Sequence, residues 1–178
     1  MVLTGQAGSG KTTLIRHLLQ ELRSDNREAV LLASTGRAAR ILGKRCGQQA
    51  STIHHAIYEL DSIKIDAAQG RARVLHRLRR TGAAGELVIV DEASQLGSLG
   101  QAEASSIGHS FGSGNLLSDL MEWCGLYPSH SGRPAVKILL LGDNAQLAPV
   151  GQNTTVALNP AFLSHTFGLN VNAQHSRV

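Results

Sequence analysis

A glycine-rich stretch near the amino terminus constrains this chain more than any other feature. It reads, in order, Gly5, Gln6, Ala7, Gly8, Ser9, Gly10, Lys11, Thr12 and Thr13. The stretch matches every fixed position of the phosphate-binding pattern G-x-x-x-x-G-K-[ST]. Its glycines let the backbone turn several N–H groups toward an anion. Lys11 can then reach the terminal phosphates of a nucleotide, and the Thr12 hydroxyl can reach a Mg²⁺ ion.

The residues on either side of this loop have the pattern that such a site requires. Val2 and Leu3 form a short apolar run before the loop, as a strand would. After the loop, apolar residues recur at helical spacing, at Leu14, Ile15, Leu18, Leu19 and Leu22. A helix that begins here adds the positive end of its dipole to the anion site. The alternative, a glycine-rich turn beside a chance Lys-Thr pair, has no need of this context.

Three more apolar runs predict the fold class. They cover residues 29–33, 87–90 and 136–141, and each is long enough for a strand buried on both faces. Helical patterns lie between them, and Asn159-Pro160 has the form of a helix cap followed by a first-turn proline. Strands that alternate with helices predict an α/β domain, with a mainly parallel β-sheet and helices on both faces.

Charge and cysteine content indicate which binding partners and which cellular compartment to expect. Residues 61–85 carry six basic and two acidic side chains, which account for the whole net charge of +4. This basic segment predicts contact with a polyanion, and a solvated surface is the equal alternative. Cys46 and Cys124 lie far apart and fit reduced core thiols of a cytoplasmic protein. The sequence has no membrane-length apolar run, so we expect no membrane partner.

Asp91 and Glu92 directly follow the second of those apolar runs. A carboxylate at the end of a strand can hold Mg²⁺, and an adjacent carboxylate can activate a water molecule. Acidic residues often end strands, so the pair alone is a weak signal. Combined with a phosphate-binding loop about eighty residues upstream, it predicts the second half of a nucleotide-hydrolysing site.

Further motifs resemble the RecD-like branch of the superfamily 1 helicases. Asp91-Glu92-Ala93-Ser94 resembles the second motif of that family, and the stretch 142–150 resembles its third, Gly-Asp-x-x-Gln-Leu-x-Pro-Val. The stretch 34–39 and the later Ser51-Thr52-Ile53-His54 resemble motif Ia. The resemblance runs from the first strand to about residue 150, and more loosely to Leu169, and implies a RecA-like P-loop NTPase fold.

The resemblance implies a role for each matching residue. Lys11 and Thr12 would bind ATP and Mg²⁺, Asp91 would hold the metal, and Glu92 would be the catalytic base. Gln146 would sense the γ-phosphate, although a turn glutamine is the alternative. The path of single-stranded DNA would be lined by Thr35, Gly36, Arg37, Thr52 and His54. For His54, a histidine packed within its helix is an equally open alternative.

The resemblance also implies a domain organisation. We expect residues 1–178 to form a single RecA-like ATP-binding domain of a longer helicase, with a Gly/Ser-rich insertion at about 97–114. The family's second RecA-like domain supplies an arginine for catalysis, and Arg177 does not align securely with a family motif. We therefore expect the isolated domain to bind Mg-ATP but to hydrolyse it very slowly. The longer protein would translocate along single-stranded DNA in the 5′-to-3′ direction, and its pathway (repair, recombination or plasmid transfer) stays open.

Two other functions remain open from the sequence. One is a stand-alone P-loop NTPase or kinase, which would have no use for the motif at 142–150. The other is a nucleotide-dependent DNA-binding module without motor activity, which would have no need of Glu92. ATP turnover measured with and without single-stranded DNA distinguishes these possibilities from the helicase motor.

Overall fold

The computed structural model describes residues 1–66, 71–97, 108–127, 136–143 and 155–176. The strands, in chain order, are β1 (Val2–Thr4), β2 (Ala29–Ala33), β3 (Ala50–Thr52), β4 (Tyr58–Asp66), β5 (Arg71–Leu78), β6 (Leu87–Asp91), β7 (His109–Phe111), β8 (Lys137–Gly142) and β9 (Ala173–His175). The helices are α1 (Lys11–Ser24), α2 (Gly36–Cys46), α3 (Ile53–Ile57), α4 (Leu116–Trp123) and α5 (Pro160–Phe167). Single 3-10 turns lie at Ala93–Gln95 and Val156–Leu158.

The main sheet is parallel throughout its described pairs. Its strand order is β3-β2-β6-β8-β1-β9. The apolar runs predicted as strands form β2, β6 and β8, and their central residues are buried. Parallel strands need a crossover between them, which the helices supply. The predicted α/β class with a mainly parallel sheet is confirmed.

Alternate residues of β1, β2, β6 and β8 enter different hydrophobic cores. In β6, Ile89 packs with Ile15 of α1 and Leu42 of α2. Val88 and Val90 face the opposite core, which also contains buried residues of α3, α4 and α5. The helices therefore cover both faces of the sheet, as the sequence predicts.

Side-chain caps fix several helix starts. Thr35 caps α2, and its hydroxyl accepts a hydrogen bond from the Ala38 amide at 3.2 Å. Thr52 caps α3 through the His55 amide at 3.2 Å. Asn159 caps α5, with proline at the first helical position as predicted. Helix α3 is only five residues long, because Tyr58 already begins β4.

The basic segment 61–85 lies largely in a second sheet, of order β4-β5-β7 among the described strands. Strand β4 pairs antiparallel with β5, and a bulge lies between Leu60 and Ser62. One face of this hairpin carries exposed apolar side chains, including Ile63 and Ile65. Strand β7 lies within the predicted insertion and pairs in parallel with β5. Residues 98–107 of that insertion lie outside the described part of the chain.

No helix among the described residues is both long enough and apolar enough to cross a membrane.

A buried hydrogen bond joins the second sheet to the main domain. The Tyr58 hydroxyl donates to Asp119 Oδ2 at 2.6 Å, and Asp119 is only 3% exposed. The same carboxylate oxygen accepts from the Ser113 amide at 3.0 Å. Burial and the adjacent carboxylate raise the pKa of Tyr58, so this phenol stays protonated and remains a donor.

We expect Tyr58→Phe to destabilise the domain by about 1–3 kcal/mol, because the buried Asp119 carboxylate loses a donor. Urea unfolding followed by circular dichroism measures the change, and Ser164→Ala, which removes a hydroxyl from an exposed position of α5, is the control. Equal unfolding midpoints for the two variants would contradict this prediction.

Candidate nucleotide-binding site

The predicted motifs meet at one edge of the main sheet. In the strand register, Thr52 lies beside Ala33, and Ala33 lies beside Asp91. Beyond β6 in the strand order, Thr4 at the end of β1 lies beside Gly142 at the end of β8. All these residues are at or next to the carboxyl ends of their strands, where open α/β sheets bind ligands.

A cavity of about 460 Å³ opens at this edge. Its walls come from the glycine-rich loop, from helix α2, and from the ends of β6 and β8. The lining residues are Ala7, Gly8, Ser9, Gly10, Lys11, Thr12, Thr13, Ala38, Ile41, Leu42, Arg45, Asp91, Glu92, Gly142 and Asp143. The structure therefore brings the predicted phosphate-binding loop and the predicted acidic pair into one space.

The loop depends on glycine for different reasons at different positions. Gly8 and Gly10 have φ values of 85° and 80°, in the left-handed region that disfavours other residues. Gly5 is needed for space, because a Cβ there would lie 2.5 Å from Ser9 Oγ. Helix α1 begins directly after Gly10, so its positive end faces the cavity.

The side chain of Lys11, the first residue of α1, extends back into this loop. Its ammonium group donates to the carbonyl oxygens of Gly5 and Gln6, the latter at 2.8 Å. It also contacts Ser9 Oγ at 3.4 Å. The loop carbonyls thus hold the positive Lys11 ammonium group next to the half-buried Thr12. Both residues line the cavity, so an anion bound there would meet this charge.

Asp91 is a partly buried carboxylate at the end of β6. Burial raises its pKa, and three groups oppose that effect: the Glu92 amide, Lys11 and Arg45. The amide donates to Asp91 Oδ1 at 3.0 Å. Asp91 and Thr12 supply a carboxylate and a hydroxyl, a donor set that fits Mg²⁺, which keeps several waters and takes phosphate oxygens. The described residues contain no larger group of metal-ligating His, Cys, Asp or Glu side chains.

Glu92 has an unusual backbone. Its φ of 54° lies in the left-handed region, which costs a non-glycine residue free energy. Its carboxylate accepts a hydrogen bond from the Ser34 hydroxyl at 3.4 Å. The turn that follows packs closely on β8, since a Cβ on Gly142 would lie 3.1 Å from the Ser94 amide. The strained conformation directs Glu92 into the cavity beside Asp91.

The residues predicted to contact DNA are arranged less uniformly. Thr35, Gly36 and Arg37 are exposed at the start of α2, and Thr52 lies at the end of the neighbouring β3. The half-buried His54 packs against aromatic rings, with its centroid 5.1 Å from that of Phe111.

Burial, with a smaller effect from nearby His76, lowers the pKa of His54. Gln146 and Arg177 lie outside the described residues.

Sequence reasoning missed three residues near the cavity. Arg45 lines it from α2 at helical spacing from Ala38, a pattern that was available in the sequence. Ser34 directly follows an apolar run, so its position at a strand end was also predictable. Ser176 donates to the Ser9 carbonyl across 167 residues of sequence, and no local pattern indicates that contact.

A family model of the AAA domain matches residues 1–108. Over 166 residues the chain is 34% identical to the ATP-dependent DNA helicase Pif1 of Bdellovibrio bacteriovorus, covering 88% of this chain and 31% of that protein. Over 168 residues it is 29% identical to the ATP-dependent DNA helicase dda of Enterobacteria phage T4, with coverages of 93% and 31%. It is 30% identical over 150 residues to the ATP-dependent RecD2 DNA helicase of Deinococcus radiodurans, with coverages of 84% and 16%.

The fold is similar to that of a solved helicase. The crystal structure of Pif1 helicase from Candida albicans superposes with a TM-score of 0.53, over 99% of this chain and 35% of that one. At 18% identity this likeness shows the fold alone. The chain spans less than a third of the length of the curated helicases that it matches.

We expect Asp91→Asn to stabilise the nucleotide-free protein at neutral pH. Because the pKa of Asp91 is raised in the folded state, its contribution to stability is complete at low pH and declines as pH rises through that pKa. Asparagine keeps an acceptor for the Glu92 amide and removes the costly charge.

Thermal unfolding from acidic to neutral pH measures this effect, with Asp25→Asn at the exposed Asp25 as the control. A lower melting temperature for Asp91→Asn than for wild type at neutral pH would contradict the prediction.

Proposed function

This chain belongs to the AAA domain family and is a RecA-like domain of the superfamily 1 helicases, and from that premise we propose that it is the ATP-binding half of a DNA helicase motor. The family assignment confirms the resemblance found in the sequence, including its RecD-like relatives. The proposal depends on one observation above all: Lys11, Asp91 and Glu92 line the same cavity.

In this proposal the loop binds the phosphates of ATP. Backbone amides of residues 8–13 and the Lys11 ammonium contact the phosphate oxygens, and the start of α1 adds its dipole. Thr12 and Asp91 would hold Mg²⁺, which would neutralise charge on the phosphates. The loop thus positions the terminal phosphate toward the end of β6.

Glu92 acts as the general base of the proposed reaction. Its carboxylate orients a water molecule in line with the terminal phosphate and accepts a proton as the water attacks. The Ser34 hydroxyl, 3.4 Å from Glu92 Oε2, holds the carboxylate in place. Gln146 is proposed as the sensor that links the terminal phosphate to DNA.

A second RecA-like domain is the proposed partner for catalysis. An arginine supplied by another domain is worth roughly 10³–10⁵ in rate in related nucleotidases. The isolated chain is therefore expected to bind nucleotide and turn it over slowly. A cytoplasmic location is part of the proposal, and the buried free thiols of Cys46 and Cys124 suit a reducing compartment.

We expect Lys11→Ala to weaken Mg-ADP binding roughly ten- to a hundredfold, because a charge-assisted hydrogen bond to phosphate is lost. Calorimetric titration measures the affinity. Glu92→Gln is the matched variant, since it changes the proposed base and should leave the affinity within about twofold. Equal affinities for wild type and Lys11→Ala would rule out the phosphate-site assignment.

Single-stranded DNA is the proposed polymer substrate, with Thr35, Gly36, Arg37, Thr52 and His54 along its path. The supporting feature is the strand register, which places the end of β2 next to Asp91 of the nucleotide cavity and the end of β3 next to β2. Aromatic and polar groups at such an edge can contact bases and phosphates.

The β4–β5 hairpin offers additional phosphate contacts. Lys64 and Arg73 lie directly opposite each other in the register, and both are exposed. Like charges in such a pair repel, and an anion between them relieves the repulsion. Arg77 differs, because it forms ion pairs with Glu59 at 2.9 Å and Asp61 at 3.7 Å.

We expect the double variant Lys64→Ala/Arg73→Ala to weaken single-strand binding and to reduce its salt slope by about 1.4. Fluorescence anisotropy at several salt concentrations measures the slope. The control is Arg16→Ala/Lys137→Ala, which removes the same charge from exposed positions away from the hairpin. If both double variants change the slope equally, the hairpin makes no specific phosphate contact.

A further inference from the structure

The end of β9 touches the glycine-rich loop. The Ser176 hydroxyl donates to the Ser9 carbonyl oxygen at 2.9 Å, and the Ser176 amide donates to the Thr4 carbonyl at 2.7 Å. Strand β9 pairs in parallel with β1, so that Thr4 lies beside His175. The position of the Ser176 hydroxyl is therefore fixed by the strand ladder.

This contact sets the direction of one peptide plane. In a planar trans peptide, the carbonyl oxygen of one residue and the N–H of the next point in opposite directions. The Ser9 carbonyl points toward Ser176, so the Gly10 N–H points away from β9. Ser9 and Gly10 line both the nucleotide cavity and the space next to Ser176, so an N–H that points away from Ser176 is directed toward the nucleotide cavity.

The plane needs such a restraint because Gly10 is a glycine. A glycine accepts positive and negative φ about equally, so its own backbone does not prevent the Ser9–Gly10 peptide from flipping. With φ at 80°, Gly10 shows only one of these states. A flip would turn a carbonyl oxygen toward the phosphates and would break the Ser176 hydrogen bond.

The packing around Gly5 supports the same coupling. A Cβ on Gly5 would lie 3.1 Å from Ser176 Cβ and 3.2 Å from the Ser176 carbonyl oxygen. Lys11 contacts Ser9 Oγ on the other side of the loop. The loop is thus held between the end of β9 and the Lys11 ammonium.

We propose that Ser176 is a positioning residue for the phosphate site: its hydroxyl holds the Ser9–Gly10 peptide so that the Gly10 amide faces a bound phosphate. This inference rests on the proposed nucleotide-binding function. The Ser176 hydroxyl bonds the loop and not the ligand, so its effect on the ligand passes through the orientation of the Gly10 amide.

The test compares Ser176→Ala, Ser176→Thr and the control Ser164→Ala, which alters an exposed serine of α5. Calorimetry measures binding of Mg-ADP and of inorganic pyrophosphate to each protein. We expect Ser176→Ala to weaken both ligands equally, by about three- to tenfold, as the loss of one hydrogen bond predicts. Ser176→Thr keeps a hydroxyl and should restore both affinities.

Other outcomes separate the inference from the function on which it rests. If wild type binds neither ligand, the proposed function fails. If wild type binds and Ser176→Ala behaves like Ser164→Ala, the positioning role is wrong. A loss confined to Mg-ADP overturns it as well, since it would mean that Ser176 contacts the nucleoside. The role is equally excluded if Ser176→Thr is as weak as Ser176→Ala.

An independent readout in the wild-type protein avoids any effect of substitution on folding. The Gly10 amide resonance should shift strongly in ¹⁵N–¹H spectra when pyrophosphate is added, because its N–H gains a phosphate partner. In Ser176→Ala the shift should be smaller at saturating ligand. A Gly10 resonance that does not move in wild type would overturn the inference.

Discussion

The parallel pairing of the main sheet is the constraint on which the rest of the structure depends. Because neighbouring strands run in the same direction, every segment that follows a strand leaves the sheet at the same edge. The register places Thr52, Ala33 and Asp91 in one row. The nucleotide cavity and the proposed DNA path therefore arise from one arrangement of strands.

The site concentrates features that work against stability. Asp91 is a carboxylate whose ionisation is disfavoured by burial, and Glu92 has left-handed backbone. The loop holds glycines at positive φ, which lose more conformational freedom on folding than other residues. The two apolar cores beneath, one on each face of the sheet, offset these costs. Strained residues in such a setting are typical of functional sites.

The β4–β5 hairpin has one charged face and one apolar face. Its charged face carries Lys64 opposite Arg73, and its other face carries the exposed Ile63 and Ile65. At the start of β4, the Tyr58 hydroxyl donates to the buried Asp119 of α4. This hydrogen bond holds the start of the hairpin in a defined position relative to α4.

The sequence by itself determined the features that depend on local chemistry. The loop pattern, the apolar runs of β2, β6 and β8, and the cap at Asn159 each involve neighbouring residues, and all could be read in advance. The tertiary structure alone decided the pairing of β7 with β5, the packing of His54 on Phe111, and the contact between Ser176 and Ser9. These contacts join distant parts of the chain, and their geometry is set by how whole strands pack, which no local pattern of residue types encodes.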